Sequence, residues 1–139
     1  MSEDVDTSRE AEPAARAVAT AVLVVGDGLV LILWAVLGLL HHTGGVSARG
    51  LFRDAGPILI GWYAAALAFG LYTRSGLGRF VLTWAVGISA GVLLRAIALH
   101  RTGNADELAF WGVTLAVTLA LLAAWRGLVV AYRRASRSR

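Results

Sequence analysis

One acidic residue, Asp27, lies near the centre of the first long apolar run of the chain, which covers residues 17–40. The rest of that run carries no charged side chain, and the run is long enough to cross a bilayer. An unpaired charge at the centre of a membrane helix costs about 2.5 kcal/mol or considerably more. Asp27 therefore indicates either a functional carboxylate that exchanges a proton or a cation, or a packing element paired with an arginine.

Two arginines in later apolar runs, Arg95 and Arg126, are the candidate partners of Asp27. Arg95 follows a GxxxG motif, Gly87 to Gly91, by about one helical turn, and glycines at this spacing let a second helix approach closely. Arg126 lies nearer the predicted cytoplasmic end of its span, where a long side chain can also reach the headgroups. We therefore predict that Asp27 pairs with Arg95.

The three histidines, His41, His42 and His100, fall in predicted outer loops. Imidazole can bind zinc or titrate near neutral pH. Adjacent histidines at a helix end do not converge easily on one ion, however, and no HExxH spacing is present. We predict that the protein has no metal site.

Motifs of catalysis are absent from the sequence. It contains no nucleotide-binding loop, no Gly-x-Ser-x-Gly elbow and no paired carboxylates at catalytic spacing. It also has no cysteine, which excludes thiol nucleophiles and thiolate metal sites. We therefore expect a protein that is not an enzyme and that binds no cofactor.

Apolar runs predict an all-α membrane protein with four transmembrane helices in one bundle. The predicted spans are about 17–40, 54–72, 80–99 and 108–132, within a transmembrane domain of residues 17–132. We expect residues 1–16 to form an acidic disordered tail and residues 133–139 to form a basic tail. Both tails are expected in the cytoplasm.

The second predicted span is irregular, because the apolar run of residues 57–72 is short for a bilayer. Either this span tilts little, or the helix begins earlier, near Ser47 or Asp54, and passes through Pro57. Proline is tolerated in a first turn, where its missing amide would be unpaired anyway. We favour a helix capped by Asp54, with Pro57 just inside it.

All basic residues of the chain are arginines, 13 in total. The two tails and the second connection collect most of them: Arg9, Arg16, Arg74, Arg79, Arg133, Arg134, Arg137 and Arg139. The opposite connections hold Arg49, Arg53 and Arg101. The positive-inside rule then predicts an N-in/C-in, multi-pass protein of the plasma (cytoplasmic) membrane. Arginines at helix ends are not the basic face of a nucleic-acid reader, so we expect no nucleic-acid partner.

Seven residues form a recognisable pattern: Asp27, His42, Pro57, Gly61, Trp62, Arg95 and Arg126. Together they resemble the Domain of Unknown Function 3054 family, small four-helix membrane proteins of bacteria and archaea. The resemblance covers about residues 26–127. It implies a fold and a class of protein, without an activity.

Two functions fit this sequence. The first is a small solute or ion transporter, alone or as a homodimer, in which Asp27 works against Arg95 within the membrane. The second is an accessory or structural protein, in which Asp27 and Arg95 form a packing pair and a membrane partner protein carries the activity. Besides such a partner, we expect contact with the lipid bilayer.

Overall fold

The protein is an all-α bundle of four helices, as the sequence predicts. The computed structural model describes residues 3–74, 76–100 and 105–137, with side chains described over 12–41, 44–74, 76–100, 106 and 108–136. The helices are α1 (Glu3–Thr43), α2 (Ala48–Ala68), α3 (Leu77–Ala98) and α4 (Ala105–Arg137). No strand occurs in these described ranges.

Consecutive helices run antiparallel and pack side by side, and α4 closes the bundle against α1. Three contacts illustrate the arrangement. Tyr63 of α2 donates a hydrogen bond to the carbonyl of Val24 in α1, at 2.7 Å. Trp84 of α3 donates to the carbonyl of Leu115 in α4, at 3.2 Å. Arg133 of α4 donates to the carbonyl of residue 19 in α1, at 3.1 Å.

In the part of the chain that the structure describes, three helical segments are long and apolar enough to cross a membrane: Glu12–His41, Leu77–Ala98 and Leu108–Ser136. Helix α2 is not among them, although its 21 residues would reach across a hydrocarbon core. Its first two turns contain Arg49, Arg53 and Asp54, which lower its hydropathy.

The distribution of polar and apolar side chains is that of a membrane protein. Large apolar side chains such as Val25, Leu29 and Leu33 are exposed along one face of α1, whereas Asp27 on the opposite face is completely buried. Threonines are also buried, including Thr83 and Thr118. A soluble bundle would not leave so much contiguous apolar surface in water. Lipid is the solvent that suits this surface.

Helix α2 begins earlier than the favoured prediction. Ser47 is its N-cap, and the Ser47 hydroxyl accepts a hydrogen bond from the amide of Gly50 at 3.1 Å. The assignment of Asp54 as the cap is therefore wrong, and Pro57 lies in the interior of α2. Because proline has no amide hydrogen, the carbonyl of Arg53 loses its helical partner there.

Helices α1 and α4 are much longer than α2 and α3, with 41 and 33 residues against 21 and 22. The α1–α2 and α3–α4 connections lie at the same end of the antiparallel bundle, so the extra turns of α1 and α4 extend beyond the α2–α3 connection at the other end. Helix α1 begins at Glu3, and it therefore includes most of the segment expected to be a disordered tail. Two long helices flanking a short hairpin leave space at this end of the bundle.

Glycines set the close approach of α2 and α3. A Cβ atom on Gly61 would overlap the carbonyl oxygen of Gly87 and lie 2.5 Å from the amide nitrogen of Gly91. A Cβ atom on Gly91 would lie 2.6 Å from the Cα of Ile58. The GxxxG motif of α3 therefore packs against α2 of the same chain, with Gly61 as its counterpart.

Candidate functional site

Asp27 is held in a buried ion pair with Arg126. The Nη2 atom of Arg126 lies 2.5 Å from Oδ2 of Asp27, and its Nε lies 3.3 Å from Oδ1. The side chain of Asp27 is 0% exposed, whereas that of Arg126 is 19% exposed. This two-point contact satisfies both carboxylate oxygens and matches the planar geometry of a guanidinium.

Tyr72, in the α2–α3 connection, adds a third hydrogen bond to the carboxylate. Its hydroxyl donates to Oδ2 of Asp27 at 2.9 Å and accepts from Nε1 of Trp62 at 3.1 Å. The guanidinium of Arg126 also lies over the ring of Phe80, 5.1 Å from its centroid. The network thus connects α1, α2, α4 and the connection between α2 and α3, and aromatic rings shield its charges from lipid.

The glycines on either side of Asp27 let aromatic side chains pack against its backbone. The indole of Trp125 occupies the space where Gly26 would carry a Cβ atom, and the hydroxyl of Tyr63 does the same at Gly28. A larger residue at either position would displace the ring. The two glycines therefore help bring α4 and α2 close enough to surround the carboxylate.

The predicted pairing of Asp27 with Arg95 is wrong. Arg95 instead binds Asp54, with its Nε 3.1 Å from Oδ1, and lies over the ring of Phe110 at 4.2 Å. Arg53 binds the same carboxylate at 3.1 Å. Arg95 is separated from Asp27 because it lies near the C-terminal end of α3, at the opposite end of the bundle from the α2–α3 connection. Among the described residues, ion pairs therefore link different helices at two sites, one toward each end of the bundle.

A recess lies at the end of the bundle where α1 and α4 extend beyond the connection between α2 and α3. Its volume is about 700 Å³. Its walls are formed by four residues of α1 between 16 and 23, by residues 71–73 and 76 of the connection, by residues 77 and 80 of early α3, and by five residues of α4 between 123 and 133. Arg126 and Tyr72, the two partners of the Asp27 carboxylate, both line it. Asp27 itself is buried behind them.

Polar groups continue into the bundle beyond this ion pair. Thr83, Thr114 and Thr118 are at most 1% exposed. The Thr118 hydroxyl donates to the carbonyl of Thr114 at 2.6 Å, and it also accepts from Nε1 of Trp84 at 3.3 Å. The hydroxyls of Thr83 and Thr114 have no hydrogen-bond partner among the described residues. Buried hydroxyls without a protein partner are unusual and call for an explanation.

The remaining predicted residues have varied surroundings. Trp62 belongs to the Asp27 network through Tyr72. His41 and His100 are exposed, and the side chain of His42 lies outside the described part of the chain. Within the described ranges, no group of three or more potential metal ligands comes together.

Sequence reasoning missed Tyr72 as a partner of Asp27 and Asp54 as the partner of Arg95. Tyr72 lies near a predicted membrane boundary, where a tyrosine is expected to be an interfacial anchor and not a hydrogen-bond partner of Asp27. Asp54 has the signal of a helix cap. An antiparallel hairpin of α2 and α3 places Asp54 beside Arg95. This arrangement, applied to the sequence, could have predicted the Asp54–Arg95 ion pair.

Comparison with known proteins identifies a family. The model of the family described as "Protein of unknown function (DUF3054)" matches residues 24–129, about three quarters of the chain. The match contains Asp27, Tyr72 and Arg126, as well as both residues of the Asp54–Arg95 pair. No curated protein and no solved structure matches the chain.

Proposed function

The chain belongs to this DUF3054 family, and from its own geometry we propose that it is a four-span protein of the cytoplasmic membrane that passes a small solute or ion. In this proposal, the Asp27–Arg126 pair is the closed barrier of the pathway. It replaces the Asp27–Arg95 pair that the sequence suggested. The recess is the entrance, and the buried threonines line the continuation.

The observation that carries the proposal is the position of the ion pair at the floor of the recess. Arg126 and Tyr72 line the recess and at the same time bind the carboxylate of Asp27. A solute in the recess therefore contacts the groups that hold the barrier closed. An anion that binds Arg126, or a cation that binds the Asp27 carboxylate, would compete with the ion pair. Such competition would separate the two side chains and open the bundle beyond them.

The threonine hydroxyls inside the bundle support a polar continuation. Thr83 lies one turn further along α3 than Phe80, which lines the recess. Thr114 lies deeper still, three turns before Arg126 in α4, about 18 Å along the helix axis. Both are buried hydroxyls without a partner among the described side chains, as expected of groups that bind a passing solute or water.

The four-span topology predicts the sidedness of single cysteines. The chain has no native cysteine, so Val46→Cys in the α1–α2 connection and Ser136→Cys near the end of α4 each supply one thiol. In inside-out and right-side-out vesicles, a membrane-impermeant thiol reagent should label Ser136→Cys only from the cytoplasmic side and Val46→Cys only from the other. Labelling of both thiols from the same side would exclude this topology.

The pathway is tested by labelling Thr83→Cys and Thr114→Cys with the same reagent in phosphatidylcholine vesicles. Both positions are buried in the closed bundle, so their thiols react only when the pair opens. We expect both to react over minutes to hours, because openings of this kind occur on microsecond to second timescales. Ile88→Cys is the matched control, since Ile88 is equally buried but lies among apolar side chains, and it should stay unreactive.

One outcome would contradict the pathway directly. If Thr83→Cys and Thr114→Cys remain as unreactive as Ile88→Cys, and all three react after denaturation, water does not reach the bundle interior. The protein would then lack the solute pathway.

That outcome would favour the second candidate, an accessory membrane protein whose partner carries the activity. Its supporting observation is the complete burial of Asp27 with three hydrogen bonds to its carboxylate. An acid so fully satisfied suits a permanent packing element. The two candidates therefore differ in whether the pair ever opens.

A further inference from the structure

We propose that the recess binds an anionic phospholipid, with the lipid phosphate between Arg16 and Arg133 at its mouth and the adjoining acyl chain against its apolar wall. The proposal uses the same recess as the proposed pathway, but it does not depend on transport. A lipid seated there would control access to the Asp27–Arg126 pair.

The described charged residues that line the recess are all arginines. They are Arg16, Arg126 and Arg133, and no acidic side chain lines it among the described residues. Arg126 is neutralised by Asp27 at the floor, so the excess charge lies at the mouth. This distribution favours an anion at the mouth over one at the floor.

The arginines at the mouth keep donors for a phosphate. Arg133 uses one donor on the carbonyl of residue 19, out of the five that a guanidinium carries. Arg16 pairs with Glu12 one turn away, and both side chains are more than half exposed. An exposed pair of this kind contributes little, so a lipid phosphate can compete for Arg16.

The wall between the mouth and the floor is apolar. Leu23, Leu71, Leu77, Val129 and Val130 all line it. The volume of about 700 Å³ lies within the range of ordinary ligand pockets. Arg133 is two turns beyond Arg126 in α4, about 10 Å along the axis. A charged mouth and an apolar wall match a phospholipid better than a small hydrophilic anion.

The experiment is native mass spectrometry of the full-length protein in detergent. Phosphatidylglycerol and phosphatidylcholine with identical acyl chains are titrated in parallel, and inorganic phosphate is titrated alone. We expect phosphatidylglycerol to bind at least tenfold more tightly than phosphatidylcholine. Inorganic phosphate should neither bind at comparable concentrations nor displace the lipid.

Variants locate the site. Each arginine near a membrane surface strengthens binding to anionic lipid roughly fivefold, so Arg16→Gln with Arg133→Gln should remove most of the preference for phosphatidylglycerol. Arg134→Gln is the matched charge control, because Arg134 is an exposed neighbour that does not line the recess. Ala123→Phe should fill the recess and weaken binding. Ala124→Phe, on the adjacent exposed position outside the lining, should not.

Three results would overturn the proposal. They are equal binding of the two lipids, unchanged preference in the Arg16→Gln/Arg133→Gln protein, and binding of inorganic phosphate as tight as that of the lipid. Unchanged melting temperatures in phosphatidylcholine show that the variants are folded. The cysteine labelling uses vesicles of phosphatidylcholine, which contain no anionic lipid. The labelling therefore tests the pathway without the lipid site, and either proposal can fail while the other holds.

Discussion

Replacing Arg126 by methionine destabilises the protein by about 3–5 kcal/mol, because the carboxylate of Asp27 is left buried without its counter-charge. Asp27 is 0% exposed, and methionine supplies neither a counter-charge nor a hydrogen-bond donor in place of the guanidinium. The measurement is the free energy of unfolding in mixed micelles, with unfolding monitored by far-UV circular dichroism. Tyr72 alone cannot compensate, because it donates a single hydrogen bond.

The double variant Asp27→Asn/Arg126→Met provides the control. Asparagine keeps the shape of the side chain and removes its charge, so the double variant should regain at least half of the lost stability. Combining Asp27→Asn with Arg95→Met should give no such recovery, since Arg95 binds Asp54. If stability were recovered with Arg95→Met and not with Arg126→Met, Asp27 would be paired with Arg95, as predicted from the sequence.

Replacing Gly61 by alanine separates α2 from α3 and destabilises the bundle by about 1–3 kcal/mol. The added methyl group would overlap the backbone of Gly87 and approach the backbone of Gly91. Backbone atoms cannot rotate away as a flexible side chain can. Thermal unfolding of the purified protein in detergent measures the effect.

Gly56 supplies the comparison for this substitution. It lies on the same helix, and a Cβ atom there meets no atom within 4 Å. Gly56→Ala should leave the melting temperature unchanged or raise it, because alanine has the higher helix propensity. If Gly61→Ala also leaves it unchanged, α2 and α3 do not pack through these glycines.

The sequence predicted the helical fold because apolar runs separated by charged connections are strong signals. It placed the start of α2 incorrectly because two caps were available. Asp54 lies beside the proline that suits a first turn, whereas Ser47 lies farther away in the chain. The structure uses Ser47, and the carboxylate of Asp54 is thereby free to bind Arg53 and Arg95.

The sequence identified the residues of the ion pairs but not their pairing. Along the predicted spans, Arg95 lies nearer the outer end and Arg126 nearer the cytoplasmic end, on opposite sides of the depth of Asp27. Depth alone therefore does not decide which of them is the partner of Asp27. The GxxxG motif favoured Arg95, because it implied close approach of another helix. That helix is α2, packed through Gly61, and α1 instead meets α4 at Arg126.

The recess could not be predicted because it arises from a difference in helix length. The predicted spans 17–40 and 108–132 exceed 54–72 and 80–99 by about five residues, far less than α1 and α4 exceed α2 and α3 in the structure. In the structure α1 and α4 continue past the α2–α3 connection, and this continuation separates Arg16 and Arg133 from the rest of the bundle. The charge pattern of the tails shows arginines at a membrane boundary, but it does not reveal the concave surface between them.

The most direct test of the barrier is the labelling rate of Thr83→Cys with and without the ion pair. The rate is compared in the otherwise unaltered chain and in the Asp27→Asn/Arg126→Gln background, with reagent added on the side of the recess. If the pair closes the pathway, its removal should raise the rate about tenfold or more, the equivalent of about 1.4 kcal/mol in the opening equilibrium. Ile88→Cys should remain unreactive in both backgrounds. An unchanged rate for Thr83→Cys in a folded protein would contradict the account, because the pair would then hold the helices together without closing a route between them.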